Sequence, residues 1–277
     1  MKKSRKILAL ILALASVFAL CACGSSAKPE STLDRIISEG RLTMATDATW
    51  APFEYLGPNG EPDGVDIELA KYIADQLGVE LEVRNAEFET LPTYIANGEA
   101  DMIISSISVT EERKETIAFS IPYVIAEQYI VFSADDTSER TVNGLAGKAI
   151  GVELGTTGDF LVSDEISSGC LAGTGAEVKQ FMAIPDAYLS MQNGELGAIV
   201  CDTLMAENLC TLSGGSLICF PLVFADGSTT TEEYAIGMAK GDDAFVAKVN
   251  EIIAPIIEDG TVDAWIAEHT EISSNID

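Results

Sequence analysis

The sequence predicts an α/β protein built on mainly parallel sheets. From residue 33 onwards, short apolar segments with strand character alternate with helical patterns. Two of these segments, residues 148–154 and 198–201, are each followed closely by the start of a helix. A helix that returns the chain to the same end of a sheet makes the next strand parallel to the last. Sheets of this type bind ligands in the crevice beyond the carboxyl ends of their strands.

The first half of the chain carries the clearest periodicity. The predicted elements are strands over residues 41–46, 79–83 and 101–105 and helices over residues 66–77 and 88–97. In the first helix, Ile67, Ala70 and Ile73 repeat on one face, and Gly78 is a typical helix stop. The strand at 79–83 alternates apolar and acidic residues, which indicates that one of its faces meets water.

The second half continues the alternation. It contains predicted strands over residues 148–154, 198–201 and 234–238, helices starting at Asp159 and Thr203, and helices over residues 244–257 and 262–268. The helix over residues 244–257 is amphipathic, and Gly260 ends it. We find no internal repeat.

The N-terminus resembles a bacterial lipoprotein signal peptide over residues 1–22. A basic start precedes an apolar run over residues 7–20, which is shorter than the ~20 residues that span a bilayer. Ala22 is the small residue before the expected cleavage point, and Cys23 is the expected lipidation site. Residues 23–32 predict a flexible tether. We therefore expect an extracytoplasmic protein held to the membrane only by lipidated Cys23; the alternative is an ordinary signal peptide with incidental cysteines.

The charge balance excludes one class of partner. The chain has 16 basic and 44 acidic residues, a net charge of −28 at pH 7. This charge repels the phosphates of nucleic acids, and we expect no nucleic-acid partner. It also attracts cationic solutes, although an acidic surface that only keeps the protein soluble accounts for the same composition.

A first candidate site follows the predicted strand at 101–105. Ser105, Ser106 and Ser108 offer hydroxyls and backbone amides there, and Thr110 is a good helix N-cap. Arg113 lies near the start of that helix, where a cation is unfavourable unless an anion joins it. Together these groups suit a carboxylate ligand, and the alternative is a surface arginine beside an ordinary cap.

Further candidates lie after other strands. Gly155, Thr156 and Thr157 form a turn at a helix start, where backbone amides are exposed, or a tight turn with no ligand. Asp202 ends the strand at 198–201, where it either caps the next helix or faces the crevice as an anion. Asp47 ends the first strand and is followed by Trp50, which taken alone is more typical of a core residue.

Little in the sequence favours catalysis or a metal centre. The only histidine, His269, is expected to be exposed in the last helix, so we expect no nucleophile–histidine pair, no metal site and no cofactor. Cys210 and Cys219 allow a short disulfide loop, with buried free thiols as the alternative.

Taken together, several segments resemble the bacterial extracellular solute-binding proteins of amino-acid ABC transporters, in the polar amino-acid group. The segments occur in the family's order over about residues 33–270, and they are residues 46–54, 64–70, 105–113, 119–123 and 155–157. Val65 departs from the pattern, because the family usually has an aromatic residue there.

The resemblance implies a two-lobed periplasmic-binding-protein-like fold of type II, with two crossover strands as a hinge. Lobe 1 would combine residues 33–124 with 228–277, and lobe 2 would span residues 125–227. The implied partners are a free amino acid and an ABC import permease, and the protein would act as a monomer.

The resemblance also implies roles for single residues. Arg113 would pair with the ligand α-carboxylate, with the amides of Ser108 and Thr157, and Asp202 would take the α-ammonium with Ser106 and Ser108. The predicted binding residues are Asp47, Trp50, Phe88, Ser105, Ser106, Ser108, Thr110, Arg113, Glu153, Thr156, Thr157 and Asp202.

The residues around the side chain suggest which amino acid binds. Asp47 and Glu153 with Trp50 and Phe88 suit a cationic side chain of the arginine or lysine type. Glutamine, cystine or another polar amino acid is the alternative. A dehydratase-type enzyme on the same fold is a further one, with Glu153 as its acid–base group.

Overall fold

Two five-stranded sheets organise the protein in a computed structural model that describes residues 31–275. The first part contains, in order, α1 (Thr32–Glu39), β1 (Arg41–Thr46), β2 (Thr49–Trp50), β3 (Glu54–Leu56), β4 (Pro62–Asp63), α2 (Val65–Leu77), β5 (Glu80–Asn85), a 3₁₀ turn (Phe88–Thr90), α3 (Leu91–Ala96), β6 (Met102–Ile103), α4 (Glu111–Lys114), β7 (Ile117–Phe119) and β8 (Val124–Ala126). The chain continues with β9 (Gln128–Ser133), a 3₁₀ turn (Val142–Leu145), β10 (Ala149–Glu153), α5 (Thr157–Ser167), β11 (Glu177–Phe181), α6 (Ile184–Gln192), β12 (Ala198–Asp202), α7 (Thr203–Leu212), β13 (Leu217–Pro221), β14 (Glu232–Tyr234), β15 (Gly237–Ala239), α8 (Asp243–Glu258) and α9 (Thr261–Ser273).

The first sheet has the strand order β5-β1-β6-β15-β7. β1 runs parallel to β5 and β6, whereas β15 runs antiparallel to β6 and β7. Leu42 and Met44 of β1 are fully buried and share one apolar core with Ile73 of α2 and Phe245 of α8. The amphipathic faces predicted for these two helices are therefore the faces that cover this sheet.

The second sheet has the order β11-β10-β12-β9-β13 and repeats this plan. β10 is parallel to β11 and β12, and β9 is antiparallel to β12 and β13. Ile150, Val152, Val200 and Phe132 are buried in its core with Val162 of α5. The α/β prediction is confirmed: in each sheet four of the five strands run in the same direction, and only β15 or β9 opposes them.

The chain passes between the two sheets twice. It leaves the first sheet through β8 and returns through β14, and these two strands pair antiparallel as a separate ribbon. Residues 128–221 build the second sheet, whereas β1, β5, β6, β7 and β15 build the first. β2, β3 and β4 form a small three-stranded sheet of their own. The ligand crevice expected at the strand ends therefore lies beside this ribbon.

Some predicted elements differ from the observed ones. The strand predicted over residues 234–238 is two strands, β14 and β15, because the chain moves from the ribbon to the first sheet within it. The last helix runs to Ser273, beyond the predicted end. The prediction that His269 is exposed was wrong: its exposed fraction is 4%, and Tyr55 hydrogen-bonds to its ring.

The cysteines of the described residues are not cross-linked. Within residues 31–275, all of them are free thiols, and no helix is both long and apolar enough to cross a membrane. Cys210 of α7 and Cys219 of β13 lie beside each other and are half-buried. The signal peptide, Cys23 and residues 24–30 of the tether lie outside the described residues.

Candidate ligand-binding site

A cavity lies between the two sheets, and the predicted residues converge on it. Its walls are formed by Asp47, Trp50, Glu54, Phe88, Ser105, Ser106, Ser108, Arg113, Glu153, Thr156, Thr157 and Asp202. All predicted binding residues except Thr110 are among them. Thr110 instead caps α4, where its hydroxyl accepts a hydrogen bond from the Arg113 amide at 3.1 Å.

Asp47 lies where β1 ends, on the side of the first sheet. Its backbone amide donates to the Ser105 hydroxyl at 2.9 Å, which ties the ends of β1 and β6 together. Its carboxylate accepts from the Thr49 hydroxyl at 2.9 Å and from the Phe88 amide at 2.8 Å. Burial raises the pKa of Asp47 above its ordinary value, and these two bonds counter the rise.

Ser106 is the one described non-glycine residue with a positive φ, at 45°. Its amide donates to the buried Asp66 carboxylate at 2.8 Å, and Tyr123 donates to the same carboxylate. Its hydroxyl donates to Glu54 at 3.1 Å. These contacts hold an otherwise costly backbone conformation at the cavity wall, where strained residues are typical of functional sites.

Trp50 belongs both to the apolar core and to the cavity wall, so the two interpretations of this residue are compatible. Its exposed fraction is 6%. The indole Nε1 is buried, and it has no hydrogen-bond partner among the described residues.

Arg113 bridges the two sheets. Its Nη1 donates to the Ser108 carbonyl at 2.7 Å, and its Nη2 donates to the Gly155 carbonyl at 3.0 Å on the other side of the cavity. The guanidinium carbon lies 5.3 Å from the centre of the Phe88 ring. Burial lowers the pKa of Arg113, while the carboxylates of Glu232 and Asp202 raise it. An arginine so placed stays charged, and it has further N–H donors for an anion.

Asp202 faces the cavity from the end of β12. It is the N-cap residue of α7, yet its side chain makes no capping hydrogen bond, so helix capping does not explain it. Its carboxylate instead accepts from the Tyr234 hydroxyl and from Nε2 of Gln128. Burial and the neighbouring Glu232 raise the pKa of Asp202 to about 8.

Glu232 was missed by the sequence analysis. It lies on β14 and accepts hydrogen bonds from Ser108 on one side of the cavity, from Thr157 at 2.8 Å on the other, and from Gln128 at 2.9 Å. The sequence around it is a polar run without periodicity, and only the pairing of β14 with β8 places this side chain inward. Glu54 was also missed, although it lies within residues 46–54, one of the segments that resemble the family. Its carboxylate accepts hydrogen bonds from the hydroxyls of Ser105 and Ser106.

Two further features complete the wall on the side of the second sheet. Thr156 caps α5 by accepting from the Asp159 amide at 3.2 Å, and Gly155 turns the chain with φ 79° so that this helix begins at the cavity. Glu153 accepts from the Ile184 amide at 3.2 Å. Burial, with Asp47 and Asp202 nearby, raises the pKa of Glu153 well above its ordinary value.

The charges at the site are unbalanced. Arg113 is the only basic residue among the described lining residues, whereas four of them are acidic: Asp47, Glu54, Glu153 and Asp202. Buried carboxylates without cationic partners are costly, and the cost falls when a cation enters. The cavity therefore offers one site for an anion and a larger acidic surface for cationic groups.

Comparison with characterised proteins identifies relatives over most of the chain. The L-cystine-binding protein TcyJ of Escherichia coli (strain K12) is 26% identical over 236 residues, 85% of this chain and 84% of the relative. The arginine-binding extracellular protein ArtP of Bacillus subtilis (strain 168) is 30% identical over 203 residues, 73% of this chain and 75% of the relative.

Solved structures show the same architecture. The amino acid ABC transporter substrate-binding protein AbpA of Streptococcus pneumoniae, bound to L-arginine, matches with a TM-score of 0.80 at 28% identity, over 88% of this chain and 100% of AbpA. The ancestral amino acid-binding protein AncCDT-1, a precursor of cyclohexadienyl dehydratase, matches with a TM-score of 0.77 at 27% identity, over 87% of this chain and 100% of AncCDT-1. The two-lobed fold implied by the resemblance is thereby confirmed.

The match to a family profile agrees with these relatives. Residues 42–271 match the bacterial extracellular solute-binding proteins, family 3. The matched region contains both sheets, the ribbon and all the residues that line the cavity. The chain therefore belongs to family 3 of the bacterial extracellular solute-binding proteins.

Proposed function

We propose that this protein captures a free amino acid, with a preference for a cationic side chain, and delivers it to an ABC import permease. One observation carries the proposal: the guanidinium of Arg113 and the carboxylate of Asp202 line the same cavity from opposite sheets. A free amino acid presents one carboxylate and one ammonium, and each is costly to bury without a charged partner. The two protein groups supply both partners.

Closure of the two lobes follows from the same pairing. Arg113 is held on the first sheet by Ser108, and Asp202 ends a strand of the second. A ligand that pairs with both groups binds more tightly to the closed state than to the open state, so it shifts the population toward the closed state. We propose that residues 33–124 with 228–277 move as one lobe and residues 125–227 as the other. β8 and β14 would then form the hinge.

The preference for a cationic side chain rests on the acidic wall. Asp47 and Glu153 are buried, and Trp50 and Phe88 line the same cavity, where aromatic rings suit a guanidinium or ammonium group. The relatives leave the choice open, since ArtP is named for arginine and TcyJ for cystine. The charge of this cavity favours arginine or lysine over the neutral alternatives.

We propose binding without turnover. Of the described residues that line the cavity, none is a histidine, and the pKa of Glu153 is raised by burial without a partnered nucleophile. AncCDT-1 is itself an amino acid-binding protein, but it is the precursor of a dehydratase, so the absence of turnover needs a direct test. Mass spectrometry of the bound amino acid after long incubation should return it unchanged.

We also propose that the mature chain begins at lipidated Cys23 and stays outside the cytoplasmic membrane as a monomer. The lipoprotein-like segment at residues 1–23 supports the anchor. Mass spectrometry of the N-terminal peptide from the membrane fraction tests it. A Cys23→Ser variant should be released from the membrane while its ligand affinity is unchanged.

A thermal-shift screen of free amino acids tests the ligand directly. Arginine and lysine should raise the melting temperature more than glutamine or cystine. Agmatine, which lacks the α-carboxylate, and N-acetylarginine, which lacks the α-ammonium, serve as matched controls and should both fail. Stabilisation by glutamine but not by arginine would overturn the side-chain preference, and equal stabilisation by agmatine would overturn the role of Arg113.

A further inference from the structure

Asp63, Glu68 and His269 meet on the first sheet's side of the molecule, apart from the ligand cavity. They come from β4, α2 and α9, and one ligand atom of each lies within 4.8 Å of the others. None of the three lines the cavity. We propose that they bind a divalent transition-metal ion of the zinc type and so tie the last helix to the start of the fold.

The histidine is the strongest part of this cluster. His269 is the only histidine of the chain, and its exposed fraction is 4%. The Tyr55 hydroxyl lies 2.7 Å from its Nδ1, and the two rings meet edge to face at 5.9 Å. The Tyr55 oxygen can accept a hydrogen bond from Nδ1–H, and in that tautomer the Nε2 lone pair is left for a metal, as with the hydrogen-bond partners of metal-bound histidines.

Backbone pairing brings the first carboxylate to the histidine. Tyr55 on β3 and Asp63 on β4 are directly opposite in the antiparallel pair, so their side chains share one face. One oxygen of Asp63 accepts from the Gly64 amide at 2.9 Å, which orients the carboxylate. The pairing of β3 with β4 therefore places Tyr55, which contacts His269, and Asp63 on the same face.

The second carboxylate comes from the first turn of α2. Glu68 is half-buried, and one of its oxygens contacts Lys71 at 2.9 Å, which leaves the other oxygen available. Packing of Tyr72 on α2 against Trp265 on α9, with ring centres 6.4 Å apart, brings the two helices together at this point. The exposed Glu268 adds negative charge nearby.

The donor set selects the kind of metal. One imidazole nitrogen with two carboxylate oxygens suits zinc and similar ions, whereas calcium and magnesium prefer oxygen ligands alone. Three protein ligands leave a fourth position for water. A bound ion would also join residues far apart in sequence, so it would stabilise the docking of α9 on the first lobe.

Titration calorimetry of the tag-free, ligand-free chain with zinc chloride tests the site. We expect one ion per chain, with an affinity that falls at least about tenfold in both His269→Gln and Asp63→Asn. Zinc should also raise the melting temperature of the wild type but not of His269→Gln, which keeps a side-chain amide for Tyr55. Tyr55→Phe should weaken binding without abolishing it.

Three controls distinguish this site from zinc binding elsewhere on the chain. Asp75→Asn changes an exposed acid on the same helix and should leave zinc binding unchanged. Cys219→Ser should also leave it unchanged, which excludes the cysteine pair as the metal ligand. Amino-acid affinity should be the same in His269→Gln and wild type, so this test and that of the proposed receptor function can fail separately. Zinc binding that survives in both His269→Gln and Asp63→Asn, or no binding by the wild type, would overturn the proposal.

Discussion

At the scale of single residues, Arg113 is held so that it can serve a ligand anion. The two hydrogen bonds of its guanidinium go to backbone carbonyls of Ser108 and Gly155 rather than to a carboxylate. Carbonyls orient the guanidinium without neutralising it. A ligand carboxylate can therefore become the charged partner that this arginine lacks.

Replacing Arg113 by alanine should weaken binding of the cognate amino acid by about 30-fold to several thousand-fold. The reason is that the ligand carboxylate would then be buried without a charged partner, at a cost of ~2–5 kcal/mol. Isothermal titration calorimetry measures the loss, and circular dichroism checks that the variant is folded. Lys114→Ala, on the same short helix and paired only with exposed Glu111, is the matched control and should bind normally. Near-normal affinity of Arg113→Ala would contradict the assignment.

The raised pKa of Asp202 makes a prediction about stability and pH. The pKa is 3.8 ordinarily and about 8 in the fold, so the folded state holds an extra proton between these values. Its contribution to stability is therefore full below about pH 4 and is lost as the pH rises toward 8.

In the ligand-free protein, the wild type should lose stability more steeply than Asp202→Asn between about pH 5 and pH 8, because the asparagine cannot ionise. The difference in slope is at most about 1.4 kcal/mol per pH unit. Urea denaturation over a pH series measures it. Parallel curves for the two proteins would show that Asp202 ionises freely in the fold.

At the scale of elements, Gly64 sets how closely the start of α2 approaches the turn that follows Trp50 of β2. The backbone of Gly64 has φ 127° and ψ 178°, a conformation nearly restricted to glycine. A β-carbon here would lie 2.1 Å from the Phe53 carbonyl oxygen. That same carbonyl accepts from the Asp66 amide at 2.9 Å, so the close approach fastens the turn to the helix.

Gly64→Ala should lower the free energy of unfolding by about 3 kcal/mol or more, because the steric clash adds to the backbone strain. It should also weaken amino-acid binding, since the turn that follows Trp50 must shift. Urea denaturation and calorimetry measure the two effects. Gly60→Ala is the control: its φ is 77° but no atom lies within 4 Å of the new β-carbon, so it should cost only about 1 kcal/mol. Equal losses in the two variants would mean that backbone strain alone matters.

At the scale of the whole molecule, the chain has a net charge of −28, and the residues that line its cavity are mostly acidic among those that carry a charge. Such a field attracts cationic ligands over a distance set by the Debye length, about 10 Å at 0.1 M salt. The net charge therefore acts on the rate of association more than on the strength of the final contacts.

The association rate of arginine should fall about threefold to tenfold as sodium chloride rises from about 10 mM to about 300 mM. Stopped-flow fluorescence can follow binding through Trp50 in the cavity wall. The dissociation rate should change much less, because the ligand is then enclosed. A neutral amino acid that binds the same site provides the control, and an equal salt effect on its association would rule out attraction by the net charge.

The elements that the sequence predicted best are those with a strong local pattern. β1 was predicted with its observed bounds, and the helices α2 and α8 within about one residue, since their buried faces repeat at helical spacing. The edge strands β11 and β13 were not predicted. Their residues are mostly half-buried or exposed, so neither shows the alternation that marks a strand with one buried face.

The residues of the candidate site also differ in whether a local sequence pattern marks them. Asp202 and the serines at 105, 106 and 108 could be predicted, because each lies at or just after a strand whose end meets the crevice. Arg113 could be predicted because a cation near a helix N-terminus is unfavourable without an anion. Glu232 could not be predicted, because no local sequence pattern marks it. The register of β14 against β8 is what turns its side chain inward. Gln128, which donates to both Asp202 and Glu232, begins a strand that the sequence analysis did not predict.

The sequence by itself determined the α/β class, the strand ends that carry the polar groups, the acidic character of the chain and its resemblance to a solute-binding family. These properties depend on residues that are near neighbours in the chain or on simple sums over it. Only the tertiary structure decided that Gln128 links Glu232 to Asp202, that Arg113 spans both sheets, and that His269 lies buried beside Asp63. Each of these contacts joins segments that are distant in the chain, and the packing of sheets and helices alone determines which of them meet.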